Sequence, residues 1–234
     1  MIIDFHSHIL PQVDDGSKSV EETIEMLSRM REQGIETVVA TPHFYAKHDY
    51  PERFMERRAR AKEKLLSVAE AEDLPEILLG AEVAYFRGMS ESKVLHDLTI
   101  EGTDAILVEL PMGKWNESMY RELEQIYAVQ GLLPIVAHID RYMTPYRSYG
   151  IPEKLASLPV LVQANAEFFT EKSTARKARK LLAKDMIHLL GSDCHNLTDR
   201  PPNLGDAIEI IETSLGSEPL ERIAAWQSKI INYR

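Results

Sequence analysis

Short apolar runs alternate with longer amphipathic stretches along the whole chain. The apolar runs fall at residues 2–5, 37–40, 77–79, 105–110, 133–137, 160–164 and 187–190, and most are bounded by Gly, Pro or polar residues. They are short and several are rich in β-branched residues, the pattern of parallel strands buried on both faces. Between them the apolar spacing lengthens to the helical period. Ser19-Val20-Glu21-Glu22 has the form of a capping box; Ile24, Leu27 and Met30 follow on one face, and Gly34 sits where a C′ glycine belongs. Pro51 predicts the start of a second helix through about Ala71, with Arg and Lys on its wet face. Further helices are predicted over 117–130, stopped by Gly131, then after Ser173-Thr174 with Leu181 and Leu182, and over 206–213 and 219–231. The stretch 140–157 gives no regular pattern and is expected to lie as a loop over the functional end.

Seven strands alternating with helices predict an α/β fold, a (β/α)7 barrel one stave short of the common eight, formed as a single domain over residues 1–234. The 234 residues, 44% of them hydrophobic, are enough for one sizeable core. Ile223, Trp226 and Ile230 of the last helix are expected to pack on the barrel.

Composition then narrows the function. A formal net charge of −10 argues against general nucleic-acid binding, which needs clustered Lys and Arg. The single cysteine, Cys194, excludes an internal disulfide framework. Met1-Ile2-Ile3 runs at once into Asp4, giving no secretory pattern, and no apolar run reaches membrane-spanning length. A cytoplasmic protein without membrane insertion is the expectation.

In such barrels the functional groups sit at the carboxyl ends of the strands. Strand one runs into His6-Ser7-His8, with Asp15 soon after, and strand two into Thr41-Pro42-His43. Strand three ends at Gly80-Ala81-Glu82, strand four at Glu109, strand five at His138, and strand seven runs into Ser192-Asp193-Cys194-His195. Strand six ends at Asn165, which carries no charge. Five of the eight histidines therefore follow directly on strands; His48, His96 and His188 do not and are read as structural. One strand-end histidine is usually a packing residue. Six strands delivering His or carboxylate to the same rim point to a metal, because buried charges need partners. In His-x-His the two side chains lie on one side of an extended strand and can reach one ion, and imidazole with carboxylate suits Zn, Mn or Fe.

His6-x-His8, Asp15, Thr41-Pro42-His43, Gly80-Ala81-Glu82, Glu109, Ala137-His138 and Ser192-Asp193-x-His195 together resemble the PHP (polymerase and histidinol phosphatase) metallophosphoesterases, from about Met1 to Leu204. A finer match, to the CpsB-like manganese-dependent tyrosine-protein phosphatases of bacterial capsule and exopolysaccharide loci, rests on three segments. These are His8-Ile9-Leu10-Pro11 with Asp14-Asp15-Gly16, Ile135 to Tyr142, and His195-Asn196 followed by Arg200-Pro201-Pro202. The resemblance implies a distorted TIM-like barrel of the PHP fold and three divalent ions, Mn first, with Fe or Zn as alternatives. One ion would take His6, His8, Glu82 and Asp193; the second Glu82, Glu109 and His138; the third Asp15, His43 and His195. Asp140 stands where relatives often have Glu and is expected beside the ligands rather than among them. The implied substrate is phosphotyrosine on a bacterial tyrosine kinase that controls capsule or exopolysaccharide synthesis, attacked by a hydroxide bridging the metals.

Charge supports a phosphate site. Three divalent ions against the four carboxylates Asp15, Glu82, Glu109 and Asp193 leave the cluster at roughly +2, a local anion trap in an acidic protein. Arg141 and Arg200 are the candidate phosphoryl grips, through planar forks. Cys194 and Arg200 have the spacing of the cysteine-dependent phosphatases, but the five residues between them contain no glycine and include Asp199, which repels phosphate. Three rival readings are a small-molecule phosphatase such as one for histidinol phosphate, an amidohydrolase, and a non-catalytic adaptor for a kinase. The second usually places a carboxylated lysine on the fourth strand, where Glu109 stands here.

Overall fold

The computed structural model describes residues 2–69, 73–143 and 148–231. Nine strand segments, all pairing in parallel, build seven staves. They are β1 (Ile3–Ser7), β2 (Thr37–Ala40), β3 (His43–Phe44), β4 (Glu76–Leu79), β5 (Glu82–Ala84), β6 (Ala105–Glu109), β7 (Leu133–Val136), β8 (Leu161–Asn165) and β9 (Leu189–Gly191). The expected second and third strands form as β2 and β4, and each stave carries a further short segment past a break, β3 and β5. Pro42 has no N–H to give the ladder, and Gly80-Ala81 interrupts the neighbouring stave, yet Gly80 N–H donates to Ala40 O (2.8 Å) and Glu82 N–H to Pro42 O (3.1 Å), so the staves continue past the breaks. Order runs β1-β2-β4 below and β3-β5-β6-β7-β8-β9 above, and the barrel closes between first and last staves through a parallel bridge of Ser7 with Cys194.

Strand alternation divides the core into two layers. Inward residues Ile3, Phe5, Val39, Leu107, Ile135, Leu161 and Leu189 fill the barrel, and Ile100 and Ile230 join them. Outward residues such as Val38, Ile106, Val108, Val136, Val162 and Leu190 pack under the helices. These are α1 (Val20–Glu32), α2 (Pro51–Val68), α3 (Glu117–Gln130), α4 (Ile151–Leu155), α5 (Glu167–Thr170), α6 (Ala175–Ala183), α7 (Leu204–Leu215) and α8 (Glu218–Ile231). No helix among the described residues is long and apolar enough to cross a membrane.

Local chemistry sets most boundaries. Ser19 Oγ accepts from Glu22 N–H (3.1 Å), and Glu22 returns a bond to Lys18 N–H (2.7 Å), one residue before its expected partner in a capping box. Asn116 Oδ1 caps α3 by accepting from Met119 N–H (3.1 Å), and Gly131, at φ 69°, ends it. Thr174 precedes α6 as expected, but its hydroxyl donates to Phe168 O (3.0 Å) instead of capping, which ties α6 to α5. On α2 the wet-face expectation fails at Arg58, whose buried guanidinium donates to Gly80 O (2.6 Å) at the break in its stave. Within 140–157, expected as a loop, a 3₁₀ turn (Ile139–Tyr142) and α4 appear; residues 144–147 lie outside the described residues. Ile223 and Ile230 of α8 are buried against the barrel floor, where Gln227 Nε2 donates to Ile3 O (3.2 Å).

Candidate active site

The inward stripe of four staves ends in a polar group. Leu78-Gly80-Glu82, Ala105-Leu107-Glu109, Leu161-Gln163-Asn165 and Leu189-Gly191-Asp193 keep period two from the core to the rim. The small residues have a reason: a Cβ on Gly191 would stand 2.6 Å from His6 Cβ, and one on Gly80 would press on Val39 and Thr41. Two candidate ligand positions leave the ordinary strand conformation. His138 (φ 30°) and Asp193 (φ 54°) both adopt left-handed backbone, rare for residues with a Cβ, and this aims their side chains at the cluster.

All nine expected ligand residues meet at this rim. His6 Nε2 and His8 Nε2 are 3.1 Å apart. Each faces Glu82 Oε2, at 3.3 and 3.4 Å, and Asp193 Oδ1, at 3.5 and 3.4 Å. Two ligand atoms each about 2.1 Å from one ion at near-tetrahedral or right angles lie roughly 3.0–3.4 Å apart, so His6, His8 and Asp193 suit a single divalent ion, while Glu82 groups with His43 and Glu109. Glu82 Oε2 and Asp193 Oδ1 are buried; their near cationic neighbours are His43 Nδ1 at 2.9 Å and Arg200 Nη2 at 2.6 Å, respectively. His43 Nδ1 lies 2.9 Å from Glu82 Oε2, and its Nε2 lies 3.5 Å from Asp15 Oδ1; His195 Nε2 is 3.6 Å from the same Asp15 oxygen. His138 Nε2 contacts Glu82 Oε1 at 2.7 Å and Glu109 Oε1 at 3.5 Å. The donor sets that could hold an ion are His6, His8 and Asp193; His8, Asp15, His43 and His195; and His43, Glu82 and Glu109. His8 and His43 thus each stand between two sets, a sharing that the residue pattern did not reveal.

Charges in the cluster hold one another. Burial alone would raise the Glu82 carboxyl, but His6, with bonds from His138 and His43, outweighs it and holds Glu82 well below the carboxylate range. Asp193 is held low in the same way, against burial, by His6, His8 and Arg141. Burial disfavours charge on His138 too, but Glu109 and Glu82 lift it to about 9. For His195, burial comes first and the neighbouring charges of His8 and Arg200 add to it, pushing it down to about 4.

Both candidate arginines stand at the mouth, about one-third exposed, and both converge on Asp193. Arg141 Nη2 makes a short contact with Asp193 Oδ2, Arg200 Nη2 lies 2.6 Å from Oδ1, and Arg200 Nη1 is 2.8 Å from His195 Nε2. Beside them a polar cavity of about 140 Å³ is lined by Asn165, Glu167, Thr170, Glu171 and Asp199 among others. On the opposite side of the cluster a cavity of about 340 Å³ opens between Val13, Asp15, His43, Tyr45, Asp49 and Arg57, where the half-exposed Tyr45 ring lies 5.4 Å from that of His43.

Several supporting residues escaped the sequence reading. Gln163 Oε1 accepts from His138 N–H (2.6 Å) and faces His6 Nδ1 (3.2 Å), while its Nε2 donates to Asn165 Oδ1 (3.0 Å). Asn165 Nδ2 donates to Asp193 Oδ2 (2.8 Å), so the uncharged stave is a scaffold for its charged neighbours. Asp14 grips His8 Nδ1 at 2.6 Å and accepts from His43 N–H at 3.0 Å. An amide or aspartate one position off the ligand pattern carries no signal of this kind in one sequence. Asp140 accepts from Asn165 N–H (2.9 Å), beside the ligands as expected. Of the other histidines, His48 and His96 are exposed, and His188 Nδ1 accepts from Val162 N–H (3.0 Å) next to Trp226.

Cys194 is fully buried in the closing seam, and burial pushes its thiol far up, away from the thiolate a nucleophile needs. Cys194→Ser is therefore expected to keep most of its activity, and the native thiol should resist alkylation until the protein unfolds. Mass spectrometry after iodoacetamide treatment checks the second point.

The model of the capsular polysaccharide synthesis CpsB/CapC family matches residues 2–231. The chain belongs to that family. Tyrosine-protein phosphatase CpsB of Streptococcus pneumoniae is 31% identical over 237 residues, spanning 95% of this chain and 94% of the relative. Tyrosine-protein phosphatase YwqE of Bacillus subtilis is 28% identical, spanning 93% and 86%. A crystal structure from work on these two proteins, there called metal-dependent tyrosine phosphatases, superposes with a TM-score of 0.83 at 24% identity, covering 100% of this chain and 95% of that one. Histidinol phosphate phosphatase of Lactococcus lactis, crystallised with zinc, L-histidinol and phosphate, shares the fold more distantly, with a TM-score of 0.59 at 15% identity, covering 91% of this chain and 93% of that one. The CpsB/CapC fold thus presents here nine metal-competent side chains and two arginines on one rim.

Proposed function

We propose that this CpsB/CapC family chain is a metal-dependent protein-tyrosine phosphatase, with residues 1–234 acting as one catalytic unit. The observation that carries the reading is the convergence of His6, His8 and Asp193 at ligand spacing, with Glu82 facing both imidazoles and Arg141 and Arg200 beside them. Its relatives are named as tyrosine phosphatases.

Three divalent ions are proposed, held by His6, His8, Glu82 and Asp193, by Glu82, Glu109 and His138, and by Asp15, His43 and His195. Mn is expected first, with Fe and Zn accepted by the same mixed nitrogen and oxygen donors. When bound, such ions supply a water acidified to near neutral pKa and positive charge against the phosphoryl oxygens. The chain supplies the remainder. Asp14 and Gln163 fix the imidazoles of His8 and His6, so the donors are in place before substrate arrives. Arg141 and Arg200 grip non-bridging oxygens by charge-assisted hydrogen bonds. The cavity beside His43 admits the ester's aryl group, and Tyr45 gives it an aromatic wall. A phenol leaves with pKa about 10, so protonation of the leaving oxygen matters less than for an alkyl ester. The proposed substrate is phosphotyrosine on a bacterial tyrosine kinase governing capsule or exopolysaccharide synthesis, in the cytoplasm.

The test is metal-stripped protein assayed on a phosphotyrosine peptide, with Mn, Fe or Zn added back, beside Arg141→Ala. Turnover should vanish on stripping, return with metal, and fall about 10- to 100-fold in Arg141→Ala through weaker phosphate binding. Full activity in stripped protein would defeat the mechanism. Faster turnover of histidinol phosphate than of the peptide would replace the substrate.

A further inference from the structure

Three helices of this acidic chain, α1, α2 and α8, pair a cation with an acid of their own. Arg29 pairs with Glu25 at 3.0 Å, Arg60 with Glu56 at 2.9 Å, and Arg222 with Glu218, each one turn apart. Lys62 reaches Glu101 at 2.8 Å, and Arg31 reaches Asp73 at 2.9 Å. Helix α6 does the opposite. Residues 172–184 hold Lys172, Arg176, Lys177, Arg179, Lys180 and Lys184 and not one acid, in a chain of net charge −10. Among the described residues, Lys172, Arg176, Arg179, Lys180 and Lys184 take part in no ion pair. Ala178, Leu181 and Leu182 face the core, which leaves the cations on the solvent side. Arg176 and Lys177 sit in the first turn, where the helix dipole disfavours positive charge. Such an arrangement opposes helix stability, so stability does not account for it.

We infer that α6 is a docking surface for an acidic segment of the substrate protein, separate from the phosphotyrosine site. This rests on the phosphatase reading above and deepens it. Three observations favour a peptide. The helix starts beside the mouth: Thr170 and Glu171 line the polar cavity next to Arg200, and α6 follows within a few residues, tied to α5 by Thr174. Glu167, Glu171 and Asp199 make the ground next to Arg200 acidic, so the complementary carboxylates must lie some residues away from the phosphotyrosine. The nine residues of α6 span about 13 Å, the reach of roughly four extended peptide residues. A lipid surface is the weaker fit, because the apolar face an interfacial helix would insert is already buried in the protein.

The experiment compares metal-loaded wild type with the triple variant Arg176→Gln, Arg179→Gln, Lys180→Gln. Substrates are p-nitrophenyl phosphate and two phosphotyrosine peptides, one with four Asp or Glu residues spaced away from the phosphotyrosine and one with Asn or Gln there. Wild type should prefer the acidic peptide about tenfold in kcat/KM, through KM, and lose the preference in about 0.5 M salt. The variant should lose the preference and keep wild-type turnover of p-nitrophenyl phosphate. An equal rate on both peptides, or a preference that survives in the variant, would overturn the inference. So would vesicles containing phosphatidylserine that sediment with wild type but not with the variant, if the peptide preference were unchanged. Fluorescence anisotropy with the acidic peptide lacking phosphate reads the surface without turnover. If that peptide binds wild type and not the variant while none of the substrates is hydrolysed, the docking surface stands and the phosphatase reading falls.

Discussion

Glu82→Gln protein is expected to fold and to hydrolyse aryl phosphates at least about a thousandfold more slowly than wild type. The substitution preserves shape and removes one charge. Glu82 is fully buried and its two oxygens face four imidazoles: Oε1 meets His138, and Oε2 meets His6, His8 and His43. A neutral amide would set an N–H₂ group against at least one ring nitrogen and take away the carboxylate common to two of the proposed ion sites. Bound metal should fall along with turnover, whereas loss of a residue that only packs would spare metal content. Elemental analysis beside steady-state kinetics and thermal melting makes the check. A variant that keeps its metals and more than a tenth of its rate would remove Glu82 from the centre of the site.

Gln163→Leu should lower kcat about 10- to 100-fold, the usual cost of losing a group that orients metal ligands, with KM little changed. It should also destabilise the fold by about 1–3 kcal/mol, because the His138 N–H and the Asn165 side chain lose a buried partner. The leucine is close in volume, so a cavity adds little. The two effects separate experimentally, since Gln163→Glu restores an acceptor of the same length and should recover stability more than rate. Denaturant unfolding with and without metal, alongside the kinetics, tests both. A stable variant with unaltered rate would show that His6 and His138 hold their orientation without this amide.

The strand periodicity made the barrel legible, because a parallel stave buried on both sides leaves a run of apolar residues that little else produces. The same period carried the rim: Glu109 stands two past the last inward apolar position of β6, and Asp193 stands four past that of β9, with Gly191 between. The exceptions have physical causes. The breaks at Pro42 and at Gly80-Ala81 depend on ladder bonds across staves, which the sequence does not display. Helix α4 is too short to show a period, and α5 is a single turn. Gln163 and Asp14 gain their importance from the imidazoles they touch, and those contacts are between residues up to 157 positions apart. His8 and His43 were readable as candidate ligands, yet their positions between two donor sets follow only from how the staves come together.

The seam between first and last staves has a temporal consequence. Asp193 N–H donates to His6 O (2.7 Å) and His8 N–H to Cys194 O (2.9 Å), so the His6-x-His8 motif is completed by residues far downstream. During synthesis the His6-x-His8 segment must therefore wait, with its imidazoles uncovered, until residues 193–195 have followed. A translational pause before residue 195 would hold a nascent chain unable to assemble the rim, and maturation of the enzyme becomes a single event set by the arrival of β9 and the residues that follow it.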